Sequence, residues 1–270
     1  MPERQMRKQR RLLLPLLEIR NLGKRFGGLA AVSELDLDVG QGEIFGLIGP
    51  NGAGKTTVLN MVGGTLSPTS GKIIFGDEDI TRLPPYRRAQ RGIARVFQRD
   101  VLFRSLTVLE NVLAGFHLLS GMGFTEIFFE RPSVRRQEKV LHEKAMEILR
   151  FVRLDRQADE MAINLPHGNQ RALCLAIALA TQAQLFLLDE PLTGMGGEEI
   201  EAMMDMIRTL RDGSGITSIV VEHNIRAVIG LCDRVAVLDY GKKIAEGSPK
   251  EVVKNPGVIE AYLGVEEDAI

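Results

Sequence analysis

The chain has 270 residues, 44% of them hydrophobic, enough to bury a sizeable core in one domain with a subdomain or in two small domains. Lys and Arg total 34 against 35 for Asp and Glu, and aromatics make up only 5%, so neither a basic field nor a stacking surface draws the chain to nucleic acid. Cys174 and Cys232 sit in apolar settings, RALCLAIAL and VIGLCDRV, with no CxxC and no His/Cys cluster, which marks them as free buried thiols rather than a disulfide or a zinc site.

Residues 1–15 form a basic N-terminal tail carrying Arg4, Arg7, Lys8, Arg10 and Arg11. The apolar run after them is short and broken by Pro15, and no small-residue cleavage site follows, so a signal peptide is rejected; a weak attraction to anionic lipid is the functional alternative to a flexible tail. Short β-rich runs then recur between helical stretches: LEIRNL, GEIFGLIG, KIIFG, ARVFQ, LFLLDE, TSIVVEH and RVAVLDYG. Several are apolar without alternation, as expected of strands covered on both faces, and the fold class is α/β.

The strand IFGLI runs into GPNGAGKTT and then a helical stretch, which satisfies GxxxxGK[ST] in the context that gives the pattern meaning. Gly49, Pro50, Asn51, Gly52, Ala53 and Gly54 form a loop whose glycines let backbone N–H groups turn inward on phosphate oxygens. Lys55 would reach the β and γ phosphates of a nucleotide such as ATP, the Thr56 hydroxyl would ligate Mg²⁺, and Thr57 closes the motif at the helix start. Further on, Arg82, Arg87, Arg88, Arg91, Arg95 and Arg99 lack interleaved aromatics beyond Tyr86 and read as a solvated helix face. Gln98 ends ARVFQ, where its amide either touches the metal and an attacking water or is a plain loop residue.

From 101 to 164 strand signals fade, and the stretch reads as a helical subdomain, broken at SGMGF, inserted in a core made of 16–100 and 165–270. Leu141, Ala145, Ile148 and Val152 share one helix face there. LPHGNQ follows, Leu165 to Gln170, and is either a connector or half of a phosphate site. The uncharged run Ala172 to Leu188 has 17 residues but divides into a helix-like and a strand-like half, so it is not read as a membrane span.

LFLLDEP places Asp189 and Glu190 at the end of an apolar strand, where two carboxylates are costly unless a cation is near. With a P-loop in the chain, Asp189 would hold Mg²⁺ directly or through water and Glu190 would orient or deprotonate the attacking water. Ile200, Met203, Met204, Ile207 and Leu210 form the next amphipathic face. His223 ends the strand-like IVVEHN, where its imidazole either meets a γ-phosphate or water or is a satisfied structural histidine. DYGKKIAEGSP then turns between two short strands before a last helical segment.

Taken in order, Phe26 in GKRFGG, GPNGAGKTT, Gln98, LPHGNQ, LLDEP and His223 resemble the aromatic A-loop, Walker A, Q-loop, signature, Walker B and H-loop of ABC-type ATPases. The resemblance covers nearly the whole chain from about Leu16. LFRSLTVLENV, LATQAQLFLLDEPLTGM, VEHN and DYGKKIAEGSPKEVVKNPGVIEAYLG resemble the ATP-binding subunit of branched-chain amino acid importers. The resemblance implies a P-loop NTPase core of mixed sheet with flanking helices and an antiparallel β edge, plus an inserted α-helical subdomain.

It also implies roles. Phe26 would stack on adenine, and Glu190, His223 and Gln98 would be the catalytic set, with Thr56, Gln98 and Asp189 around Mg²⁺. Pro166, His167, Gly168 and Asn169 would face the γ-phosphate of ATP held by a second ATPase subunit, in a homodimer or a paralogous heterodimer. The family's LSGGQ signature is altered here: Pro166 stands at its serine, His167 at its first glycine and Asn169 at its glutamine, while Ala172 and Ile177 replace arginines of the signature helix and Gly196 an Asp or Asn of the D-loop. The implied partners are transmembrane permease subunits and, indirectly, a solute-binding protein, with the ATPase peripheral on the cytoplasmic face of the plasma membrane. A regulatory ABC-type protein with little turnover, and an importer ATPase for urea or an amide, are the alternatives.

Overall fold

A computed structural model describes residues 15–96, 102–120 and 132–263. The basic tail, Gln98, and the SGMGF break beyond Ser120 lie outside the described residues.

β1 (Leu17–Phe26) and β2 (Leu29–Val39) form a long antiparallel hairpin. β2 is absent from the strand runs picked out in the sequence, yet its pattern is that of a half-buried strand: Val32, Leu35, Leu37 and Val39 are buried, with Glu34 and Asp36 exposed between them. β3 (Ile44–Ile48) leads into α1 (Lys55–Gly63). β4 (Ser70–Phe75) pairs with β1, and β5 (Glu78–Asp79) with β4, giving a four-stranded antiparallel sheet in the order β2-β1-β4-β5.

After α2 (Pro85–Gln90), β6 (Ile93–Val96) is the edge of a second sheet. α3 (Val108–Ser120), α4 (Pro132–Phe151) and α5 (His167–Ala180) intervene before β7 (Leu185–Asp189). α6 (Gly197–Ser214), β8 (Thr217–Val221), α7 (Ile225–Leu231), β9 (Arg234–Asp239) and β10 (Lys242–Gly247) complete the sheet, and α8 (Pro249–Val252) and α9 (Pro256–Leu263) follow. Its order is β10-β9-β3-β8-β7-β6, parallel throughout except for β10, the antiparallel edge.

Strand periodicity divides the core. Phe45, Leu47, Leu187, Ile219, Val221, Ala236 and Leu238 face α1 and the antiparallel sheet, whereas Ile44, Ile48, Phe186, Leu188, Val220, Val235 and Val237 face α6, α7 and α5. A third cluster belongs to the helices: Val108 and Val112 of α3, Ala145 and Leu149 of α4, and Ala172, Leu173, Ala176 and Ile177 of α5. α5 therefore contributes to two cores, since its Cys174, Leu175 and Ala178 pack on the sheet. The loop ahead of α3 is pinned by Asn111, fully buried, whose side chain bonds the backbone of Phe103, Leu106 and Thr107.

One expectation is overturned here. Arg88 and Arg95 are not on a solvated face. Arg88 is 1% exposed, and its guanidinium donates to the carbonyls of Met61, Val62, Thr81 and Leu83. Two of those belong to the last turn of α1, where a cation offsets the negative end of the helix dipole. Arg95 turns inward from β6 to meet Asp189.

Candidate nucleotide site

The ends of β3, β7 and β8 lie side by side, so the segments that leave them meet at one edge of the sheet. From β3 the chain enters the P-loop, and two of its glycines are required by close approach. A Cβ on Gly49, at φ 144°, would lie 2.0 Å from the Leu238 carbonyl oxygen; one on Gly54, at φ 101°, would lie 2.5 Å from that of Ala31. Gly54 is the N-cap of α1, and no side chain caps it. The first amides of the helix are thus directed at the cleft, the arrangement that binds anions.

Lys55, the first residue of α1, is 5% exposed and donates from Nζ to the carbonyls of Gly49 at 2.7 Å and Pro50 at 2.8 Å. Burial holds its pKa below the usual lysine range, against the opposing pull of Glu190 and Asp189. Asp189 closes β7, is 7% exposed, and pairs through Oδ2 with an Arg95 guanidinium nitrogen at 3.1 Å.

Glu190 stands one residue on at φ 53°, a left-handed conformation uncommon for a residue with a side chain. Its N–H donates to Val221 of β8 at 2.9 Å, so the neighbouring strand holds the twist that turns the carboxylate away from the sheet. His223, just past β8, meets it: Nε2 lies 2.7 Å from Glu190 Oε1. With Glu190 ionised, Nε2–H is the donor. A cleft of about 200 Å³ brings Asn51, Gly52, Lys55 and Thr56 together with Glu190 and His223.

Between these two residues and the rest of the edge stands Glu222, which sequence reasoning passed over. It is 3% exposed and accepts from the N–H of Leu192 at 2.8 Å and of His223 at 3.2 Å, tying the segment after Glu190 to the one carrying His223. Burial pushes its carboxyl above the ordinary range.

Phe26 ends β1 at the rim, half exposed, with the Lys24 ammonium 5.1 Å from its ring centroid; the same hairpin supplies Ala31 to the cleft. None of Pro166, His167, Gly168 or Asn169 lines this cleft. Pro166 is instead the N-cap of α5, His167 and Gly168 begin that helix, the His167 ring rests against Gly194, and Asn169 Nδ2 donates to Gln157. The replaced arginine positions, Ala172 and Ile177, point into the helical core at 6% and 3% exposure, where small and apolar residues pack without a charge to satisfy.

Thr56 offers a hydroxyl and Asp189 a carboxylate, both hard oxygen donors. That sparse set fits Mg²⁺, which takes one or two protein oxygens and completes its shell with phosphates and water.

The ABC transporter family profile matches residues 32–193, and that of branched-chain amino acid ATP-binding cassette transporters matches 242–268. The chain belongs to the ABC transporter ATP-binding cassettes. The cassette is 39% identical over 250 residues to the high-affinity branched-chain amino acid transport ATP-binding protein LivG of Escherichia coli K12, covering 93% of this chain and 98% of LivG. The ADP conformation of MJ1267, an ATP-binding cassette of an ABC transporter, superposes with a TM-score of 0.81 at 31% identity, covering 93% of this chain and 99% of that one. A dimeric post-hydrolysis state of the cassette MJ0796, bound to ADP and Pi, gives 0.72 at 26% identity, covering 86% and 98%. Among the described residues no helix of the cassette is long and apolar enough to cross a membrane.

Proposed function

We propose that this cassette binds and hydrolyses ATP as the peripheral subunit of an importer for branched-chain amino acids. The observation that carries the reading is the single cleft in which the P-loop and Lys55 face the Glu190–His223 pair. The identity to LivG along nearly its whole length supports the solute class.

The loop amides and Lys55 grip the phosphates, Phe26 stacks on the base, and Thr56 and Asp189 hold Mg²⁺, which when bound neutralises charge on the phosphoryl oxygens. Glu190 takes a proton from the attacking water. His223 fixes the Glu190 carboxylate through Nε2, and Glu222 fixes the backbone of His223. Gln98 is assigned to the metal and water from the sequence alone.

Pro166, His167, Gly168 and Asn169 lie apart from their own chain's cleft, which favours a role across a dimer. The amides at the head of α5 then close on the γ-phosphate held by a partner, and hydrolysis releases the clamp. The 101–164 region receives the permease, and the solute, delivered by a binding protein, never touches the cassette.

The test is reconstitution with candidate permeases in vesicles. Uptake of leucine, isoleucine or valine that requires MgATP on the side of this subunit is expected. ATP hydrolysis without uptake of any of the three refutes the solute class, and ATP binding with no phosphate release in the assembled complex refutes the enzyme.

A further inference from the structure

We propose that Arg95 is a built-in counter-ion of Asp189 that competes with the divalent cation for that carboxylate, and so sets how tightly the cassette holds its nucleotide's metal. The inference rests on the reading of Asp189 as the metal-side carboxylate.

β6 and β7 run parallel with Arg95 opposite Leu187, so Arg95 and Asp189 project from the same face of the sheet as diagonal neighbours. The side chains are 15% and 7% exposed, and the contact is 3.1 Å. A buried carboxylate next to one guanidinium keeps its charge at the expense of attraction for any second cation, because the two positive charges repel across a poorly screened gap.

The other contacts of Arg95 are neutral. Asn60 Oδ1 of α1 accepts from one terminal nitrogen, Thr65 lies at 3.4 Å, and Nε makes no hydrogen bond among the described residues. A cation so held is satisfied mainly by the carboxylate that the metal also needs.

The fold offers it somewhere else to go. Among the described residues Arg95 is the one charged side chain lining a cavity of about 370 Å³ between α2, β6 and α5, whose lining includes Tyr86, Gln90 and Thr181. Rotation about its side-chain bonds would carry the guanidinium from Asp189 toward these polar groups. Arg95 is thus a positioning residue acting through Asp189, and its effect has a sign that a purely structural role lacks: its removal strengthens metal binding.

The experiment uses the full chain saturated with ADP and measures Mn²⁺ binding by electron paramagnetic resonance. Arg95→Met and Arg95→Gln are expected to bind Mn²⁺ about tenfold more tightly than wild type, and Arg95→Lys, which keeps the charge, to stay near wild type. Unchanged or weaker binding in the folded neutral variants overturns the proposal; Arg95→Gln keeps hydrogen-bonding capacity should Arg95→Met fail to fold. Asp189→Asn separates the two readings. If it binds Mn²⁺ as wild type does, the assignment of Asp189 fails; if it loses the metal while the neutral Arg95 variants show no gain, only the counter-ion role fails.

Discussion

Lys55→Met separates the cost of the site from its use. The ammonium makes two charge-assisted hydrogen bonds to the carbonyls of Gly49 and Pro50, worth about 1.5–3 kcal/mol each. Against them stands the desolvation of a charge at 5% exposure, a penalty of several kcal/mol. The direction of the pKa shift says which way the balance leans: a lysine whose folded pKa is lowered adds stability only above its unfolded pKa and loses it as pH falls through the folded one. Below the folded pKa the cost is fully in place. Methionine keeps the buried stem and removes the charge, so the unfolding free energy should change by no more than about 1 kcal/mol, in either direction. ATP affinity should nevertheless fall roughly 100-fold, because a charge-assisted contact to phosphate worth about 3 kcal/mol is gone. Urea denaturation of the nucleotide-free chain and titration with a fluorescent ATP analogue measure the two separately. A variant that unfolds several kcal/mol more easily, or that binds ATP as wild type does, refutes the account.

Glu190→Gln should keep ATP affinity within about twofold and abolish phosphate release, accumulating a dimer on gel filtration with MgATP; steady-state hydrolysis at the wild-type rate would show that another group is the base. Glu222 has a raised carboxyl pKa, so its contribution to stability is present below pH 4.5 and lost as pH rises through the folded value. Wild-type stability relative to Glu222→Gln should therefore decline from pH 4.5 upward, and a pH-independent difference between the two urea midpoints would count against an ionising buried carboxyl. Burial pushes the Cys232 thiol up to about 12. Iodoacetamide at pH 8 should leave it unmodified in the native chain and label it in urea, as peptide mass spectrometry can show; native labelling at the rate of a free thiol would contradict the packing.

The phosphate loop was legible because its chemistry is local: glycines, a lysine and a threonine in one run after a strand. Asp189, Glu190 and His223 were legible as strand ends, and the parallel sheet brings two of them to the P-loop cleft. What the sequence hid is consumed by distant backbone. Besides their local partners, Arg88 bonds carbonyls of residues 26 and 27 positions away and Glu222 an amide 30 positions away, and no local spacing encodes those distant contacts. Arg95 carried a usable signal, a charge within an otherwise apolar strand, which demands an internal partner. β2 carries a weaker signal: Leu35, Leu37 and Val39 alternate with acidic residues, the pattern of a strand covered on one face, which stands out less than the continuous apolar runs of strands covered on both.

α5 sides with the sheet through Cys174, Leu175 and Ala178, and with the α3–α4 pair through Ala172, Leu173, Ala176 and Ile177. Such a shared beam has well-packed faces on both sides, so a move toward one neighbour disturbs its packing on the other. A rigid-body shift of the α3–α4 pair that carried this beam with it would move the backbone amides at its head, Pro166 to Gly168, rather than single side chains.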